Sequence, residues 1–156
     1  MKIGFRRVLA TVAALLALPA AAGAACSQAD LTGRWTLAVD TLGIGGGSAT
    51  DIFSLTCTMT LQDNGRIAQS ECRQLGTATG ATITQAAHVR FVVDRDCAVS
   101  IANPDRVGNA LSVVRGHAVT SVATVAGRMS RDRSAILFDG AFANGNVRLR
   151  VQGFRG

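Results

Sequence analysis

Tyrosine is absent from this chain, and other aromatic residues are scarce, with one tryptophan and six phenylalanines among 156 residues. This scarcity argues against two classes of protein. Single-stranded nucleic acid is commonly bound on platforms of aromatic side chains, and outer-membrane barrels carry girdles of aromatic residues at both membrane interfaces. We therefore expect neither nucleic-acid binding nor a membrane-spanning barrel, and no transmembrane segment after the first residues.

Lysine is also missing, apart from Lys2. Once Lys2, Arg6 and Arg7 are set aside with the N-terminal segment discussed below, thirteen arginines face ten acids, which leaves a formal charge of +3. An all-arginine surface is one way to bind phosphates or sulfates, but it is also typical of codon usage in a GC-rich genome. These arginines are scattered among acids, which favours the second interpretation.

Catalytic and metal-binding motifs are not evident either. The chain has no Gly-x-Ser-x-Gly elbow and no Cys-x-x-Cys pair, and its two histidines, His88 and His117, adjoin none of the cysteines. The glycine-rich run Gly43–Ser48 lacks the Lys-Ser/Thr of a phosphate loop, so we interpret it as a loop that could cover one end of the fold. We predict no catalytic residue, no cofactor site and no metal site, and therefore no enzyme.

The first 24 residues have the three parts of a secretory signal. Lys2, Arg6 and Arg7 are followed by an apolar run from Val8 to Leu18 and by Ala22-Gly23-Ala24, a small-residue cleavage site. We predict that residues 1–24 are removed and that 25–156 form a single domain in the bacterial periplasm or outside the cell. The alternative is an outer-membrane lipoprotein acylated at Cys26, although Gly23 stands where such signals usually have a large aliphatic residue.

Alternating polar and apolar residues dominate the rest of the chain. Trp35, Leu37 and Val39 share one face of a segment, and residues 55–61 and 147–152 alternate in the same way. Turn sequences such as Asp63-Asn64-Gly65 and Asn144-Gly145 separate these segments. Further candidate strands are 66–72, 87–93, 96–102, 110–115, 117–126 and 135–142. We predict an all-β fold, a single antiparallel meander of about eight strands that forms a closed or nearly closed barrel.

Four cysteines, an even number, follow the signal, and an exported chain of this size is expected to use them as disulfides. A two-residue turn at Asn64-Gly65 places Cys57 directly opposite Cys72, within the distance that a disulfide spans. Counting from such a turn makes this a hydrogen-bonded pair, whose wider spacing suits a direct disulfide less well. By elimination, Cys26 then pairs with Cys97.

The segment Leu31-Thr32-Gly33-Arg34-Trp35 resembles the first-strand motif of small calycin-type barrels, the lipocalins, avidin-like proteins and bacterial Inh-type metalloprotease inhibitors. In those families the Gly-x-Trp motif, here Gly33 and Trp35, opens strand one, and the tryptophan plugs the closed end of the barrel. The resemblance to the Inh type extends to Cys57 through Leu61 and to Cys72 on the neighbouring strand, whereas its downstream tryptophan and the biotin-site aromatics of avidins are absent.

These observations predict a small exported binding or interaction module without catalytic activity. Its partner would be a small apolar ligand held in the barrel or another exported protein bound on its loops. The resemblance implies a second candidate, a periplasmic protease inhibitor of the Inh type. A third candidate is a structural protein of the cell envelope.

Overall fold

The described part of the chain is mostly β-strand. A computed structural model describes residues 25–44, 53–74, 80–82, 88–115 and 120–156; the predicted signal, His117 and most of the glycine-rich run lie outside them. A 3-10 helix, Gln28–Leu31, comes first. The other elements are β1 (Gly33–Gly43), β2 (Ser54–Leu61), β3 (Ile67–Gln74), β4 (Gly80–Thr82), β5 (Phe91–Val93), β6 (Ala98–Ile101), α1 (Asp105–Arg115), β7 (Val122–Met129), β8 (Ala135–Phe142) and β9 (Val147–Arg155).

All nine of these strands belong to one antiparallel sheet, in the order β4-β3-β2-β1-β9-β8-β7-β6-β5. The first strand pairs with the last, so the break in the sheet falls between β4 and β5, in the middle of the chain. The sheet curls into an incomplete barrel whose two sides meet where Arg66 and Arg90 form an isolated bridge and the Phe91 amide donates to the Gly65 carbonyl, 2.9 Å away. The predicted all-β meander is confirmed.

The alternation seen in the sequence decides which side chains face the interior. In β1, Trp35, Leu37 and Val39 are buried, and in β2 the four residues Leu55, Cys57, Met59 and Leu61 are buried while the threonines between them are not. Successive side chains of a strand point to opposite faces of a sheet, so a single run supplies both the core and the surface. The residues that alternate in β9 behave in the same way.

The hairpin between β2 and β3 confirms the predicted disulfide but corrects the predicted turn. Three residues rather than two form the loop, because the Gln62 amide donates to the Arg66 carbonyl. The one-residue offset is reversed within β3, where Ala68 is an extra residue between the pairs Leu61–Ile67 and Thr60–Gln69. Cys57 and Cys72 therefore still face each other and are bonded. Their Cα atoms lie 4.0 Å apart, as in the closer, non-hydrogen-bonded kind of pair.

The second disulfide joins the N-terminal segment to the loop between β5 and β6. Cys26 is bonded to Cys97, as predicted, with 5.0 Å between their Cα atoms, and the Cys26 amide donates to the carbonyl of Arg95. Cys97 has a φ of 63°, a left-handed conformation that non-glycine residues rarely adopt. Two disulfides are typical of a protein that folds in an oxidising environment.

The helix α1 was not expected from the sequence. Residues 110–115, predicted as a strand, lie within this helix. Of the predicted strand 117–126, the structure describes residues 120–126, and the strand there, β7, begins only at Val122. Helix α1 connects β6 to β7, contacts β3, β4 and β7, and packs against the residues just before β7. No helix within the described ranges is both long and apolar enough to cross a membrane.

Candidate functional site

The interior of the barrel contains an apolar cavity of about 80 Å³. Its wall is formed by α1 and by eight of the strands, namely β1, β2, β3, β5, β6, β7, β8 and β9. Ser70, which is buried on β3, is the only polar residue in the described part of the wall. A cavity with such a wall is expected to be dry, because a buried water needs several polar partners.

Helix α1 covers the cavity at the end of the barrel where β7 and β9 begin. It contributes Val107, Ala110 and Leu111 to the wall. Gly108 permits this close approach, because a Cβ atom at that position would lie 3.0 Å from the Cα atom of Ser121. The sequence offered one signal for this helix, the run Asn103-Pro104-Asp105, since proline and acidic residues favour the first turn of a helix.

Sulfur atoms form part of the same wall. The Cys57–Cys72 disulfide and the Met59 thioether all border the cavity, since these residues occupy adjacent inward positions on β2 and β3. Sulfur is polarizable and makes favourable contacts with apolar and aromatic groups. The sequence predicted the disulfide but not that it would face a cavity.

The motif residues Gly33 and Trp35 lie at the opposite end of the barrel, where β1 begins. Gly33 has a φ of 122°, which only glycine adopts readily. Trp35 is fully buried, and its indole Nε1 donates to the Leu31 carbonyl at 2.7 Å. The Arg155 guanidinium lies over the indole ring, 5.1 Å from its centre, and also donates to the Asp30 carbonyl. These contacts are architectural, and none of them borders the cavity.

Asp30 joins the N-terminal 3-10 helix to the turn between β7 and β8 at the same end of the barrel. Its carboxylate accepts from the Ser27 amide at 2.7 Å and the Ser27 hydroxyl at 3.0 Å, and it lies 3.2 Å from Arg133 Nε. Burial opposes the charge on Asp30, but the Ser27 hydrogen bonds and the nearby Arg133 and Arg155 outweigh it and hold its pKa below 3.8. The carboxylate is thus a structural anion in the folded protein.

The remaining sequence candidates are not brought together. His88 is exposed, and His117 lies outside the described residues. Asp94 accepts from the amides of Asp96 and Ala98. Hydrogen bonds from Ser130 and Ser134 lower the pKa of Asp132 to about 2. In the part of the chain that can be described, no three metal-ligating side chains cluster.

Some large apolar side chains lie outside the core. Leu137 and Phe154 are about half exposed on the outer face of β8 and β9, and Leu42 and Ile44 are exposed where β1 ends. Single exposed apolar residues are common on soluble proteins.

Comparison of the chain with models of known protein families and with curated proteins finds no match.

Proposed function

We propose that this chain is an exported binding protein that holds a small apolar group inside its barrel, beneath α1, and that it has no catalytic role. The observation that supports this is the cavity, whose wall is apolar and, over its described residues, contains no titratable group. A concave apolar site buried within a fold is the usual form of a small-molecule site. The finer localisation, a bacterial periplasm or the extracellular space, rests on the signal-like residues 1–24 and is part of this proposal.

The size of the cavity restricts the ligand. A volume of about 80 Å³ is well above the roughly 15 Å³ that one water needs and below the roughly 150 Å³ of an engineered cavity that binds benzene. The apolar group that enters without movement of the wall should therefore contain only a few carbon atoms. A longer chain would require α1 to shift outward.

Xenon provides a direct test, because it enters dry apolar cavities. In the folded, oxidised protein we expect dissolved xenon to shift the methyl resonances of Leu37, Ile67 and Val125, which line the cavity. Ala110→Leu places three more carbon atoms in the cavity and should abolish these shifts. Ala126→Leu makes the same change at an exposed position of β7 and should leave them intact. Unchanged methyl resonances in the parent protein would refute the proposal.

The natural ligand requires a second experiment. Native mass spectrometry of the protein purified from the periplasm should show a mass increment for a retained ligand and the mass of two disulfides. If every preparation shows only the mass of the protein itself, the protein does not hold a ligand tightly.

A protease inhibitor of the Inh type is the second candidate. Trp35 lies buried at one end of the barrel and Cys57–Cys72 joins neighbouring strands, and both features support this candidate because the resemblance implies them. If the signal is removed after Ala24, however, only Ala25 precedes Cys26, which is bonded to Cys97, and this leaves little chain for an inhibitory arm. Assay of the oxidised protein against a secreted metalloprotease tests it, and inhibition at stoichiometric concentrations would favour it over the first candidate.

A further inference from the structure

A groove of about 370 Å³ crosses the outer face of β7, β8 and β9. Leu137 and Phe154, two of the four large apolar side chains that are exposed in the described part of the chain, both line this outer groove. Ala135 is paired with Phe154, and Leu137 with Gln152, so Leu137 and Phe154 are diagonal neighbours, a separation that an aromatic side chain can bridge. The two side chains therefore form one apolar patch.

Arg128 borders this patch on β7. It is paired with Leu137 across β7 and β8, and its side chain is exposed on the same face. Among the described residues it makes no hydrogen bond or ion pair. Asp139, the acid of β8, is bonded to Arg150 at 3.0 Å, and the described lining of the groove contains no carboxylate. The outer groove thus combines an apolar patch with a positive charge that no described acid balances.

The position of the groove restricts what can fill it. It lies on the face of the sheet, and β8 is paired along both sides, with β7 and with β9, so a peptide finds no free strand edge to extend. A second copy of the chain would bring its own Arg128 and, from the same groove, no carboxylate to meet it. One anionic group joined to an apolar chain complements both the arginine and the patch.

We propose that the outer groove binds a medium-chain fatty acid anion, with the carboxylate on Arg128 and the alkyl chain across Leu137 towards Phe154. The guanidinium presents parallel N–H donors that match the two carboxylate oxygens. Strands β7 and β9 lie two strand spacings apart, about 10 Å, which an alkyl chain of medium length spans. A volume of about 370 Å³ is also within the usual range of small-molecule sites. This site is on the opposite face of the sheet from the cavity and does not depend on the proposed function.

Three probes with the same eight-carbon chain and different head groups test the proposal: octanoate, octanol and octylammonium. In NMR titrations of the uniformly ¹⁵N-labelled, oxidised protein, we expect octanoate to shift the amide resonances of Arg128, Leu137 and Phe154. It should bind at least fivefold more tightly than octanol, and octylammonium should bind most weakly, because its charge repels Arg128. The advantage of octanoate should decrease as salt is added.

Arg128→Gln should reduce the affinity for octanoate to that for octanol and leave the affinity for octanol within about twofold. Its melting temperature should not change, because Arg128 has no described partner, so a loss of affinity cannot be attributed to unfolding. Arg148→Gln is the matched control. It removes the same charge at an exposed position of β9 outside the groove and should leave all three affinities within about twofold.

Leu137→Thr tests the apolar patch and should weaken octanoate and octanol alike, by at least threefold. Leu42→Thr is its control, because Leu42 is also exposed but lies outside the groove, where β1 ends, and this variant should bind as the parent does.

Equal affinities for octanoate and octanol in the parent protein would overturn the inference, and so would octanoate-induced shifts as large around Leu42 as in the groove. Shifts of the groove amides with protein concentration alone would show that a second copy occupies the groove and would overturn it as well. The methyl resonances of Leu37 and Val125, in the cavity wall, should not respond to octanoate. The xenon experiment therefore tests the proposed function separately, and either result can fail without the other.

Discussion

Gly65 lies where the two sides of the sheet meet, and its missing side chain allows them to do so. Its φ is 78°, and a Cβ atom at this position would lie 1.9 Å from the Phe91 carbonyl oxygen. The Gln28 side chain completes the junction, because its amide group donates to the Phe91 carbonyl and accepts from the Val93 amide. These bonds satisfy an edge of β5 that no neighbouring strand pairs with among the described residues.

We predict that Gly65→Ala destabilises the protein far more than Gly145→Ala. Both residues have positive φ, which costs an alanine about 1–2 kcal/mol, but a Cβ atom at Gly145 would meet no atom within 4 Å. The excess loss for Gly65→Ala, measured by urea unfolding, therefore reports the contact between the two sides of the sheet. Equal losses for the two variants would show that this contact contributes nothing.

Asp30 makes stability depend on acid pH. Because its pKa is lower in the folded protein than its ordinary value of 3.8, its charge stabilises the fold above that pH, and the contribution is lost as pH falls through the folded-state value. We expect Asp30→Asn to lower the free energy of unfolding by about 1–2 kcal/mol near neutral pH. The difference from the parent should shrink below pH 3.8.

Urea unfolding at a series of pH values measures this difference. Asp63→Asn is the control, because Asp63 is an exposed turn residue with no described ion pair. A deficit for Asp30→Asn that stays constant down to the lowest pH would contradict the assignment.

At the scale of elements, the hairpin of β2 and β3 combines two irregularities that cancel. The three-residue loop shifts the pairing by one residue, and the extra residue Ala68 shifts it back. Ile67 and Ser70 face inward, whereas Ala68 and Gln69 between them are both exposed. The strand therefore keeps the correct faces only if exactly one residue is extra.

Deletion of Ala68 should leave the Cys57–Cys72 disulfide intact, because it converts the bulge into regular pairing. Deletion of Glu71, between the bulge and Cys72, should turn Cys72 to the wrong face and leave free thiols. Counting thiols in the unfolded, unreduced variants and mapping their peptides distinguishes the two results. Free thiols in both variants would show that the bulge itself is required.

The loop between β5 and β6 gives a prediction for the second disulfide. Replacing Cys26 and Cys97 by alanine should cost roughly 3–5 kcal/mol, given the 71 residues that separate them. Cys26→Ala/Cys97→Gly should lose about 1 kcal/mol less, because glycine adopts the positive φ of residue 97 without strain. Thermal or urea unfolding of the two double variants measures this difference. A glycine variant no more stable than the alanine variant would contradict the argument.

The sequence predicts strands better than it predicts α1. Residues such as Leu55, Cys57 and Met59 alternate strictly, so their pattern specifies both strand and face. Helix α1 contains Gly108 and three valines, which favour helix weakly, and packing over the barrel outweighs that preference. The cavity was not predictable in detail, because it depends on how side chains from eight strands and α1 fit together. The Arg66–Arg90 bridge was not predictable either, because it joins residues 24 positions apart in the chain.

At the scale of the whole molecule, β9 completes the sheet by pairing with both β1 and β8. Removing residues 147–156 would expose two long strand edges and uncover Trp35, which lies beneath Arg155. We expect this truncated chain to aggregate and to show the red-shifted fluorescence of an exposed tryptophan, whereas a chain ending at Arg155 should fold. A soluble truncated monomer with buried tryptophan would disprove the requirement.

The pairing of the first strand with the last also sets an order of events as the chain enters an oxidising environment. A chain that enters from its N-terminus has all four cysteines available by residue 97, so both disulfides can close before β7, β8 and β9 arrive. The strand that fills the middle of the sheet then arrives last, between two partners already held in place. A chain that ends before β9 would thus have both disulfides but unpaired edges on β1 and β8. The β9 segment of another copy could then pair with these edges.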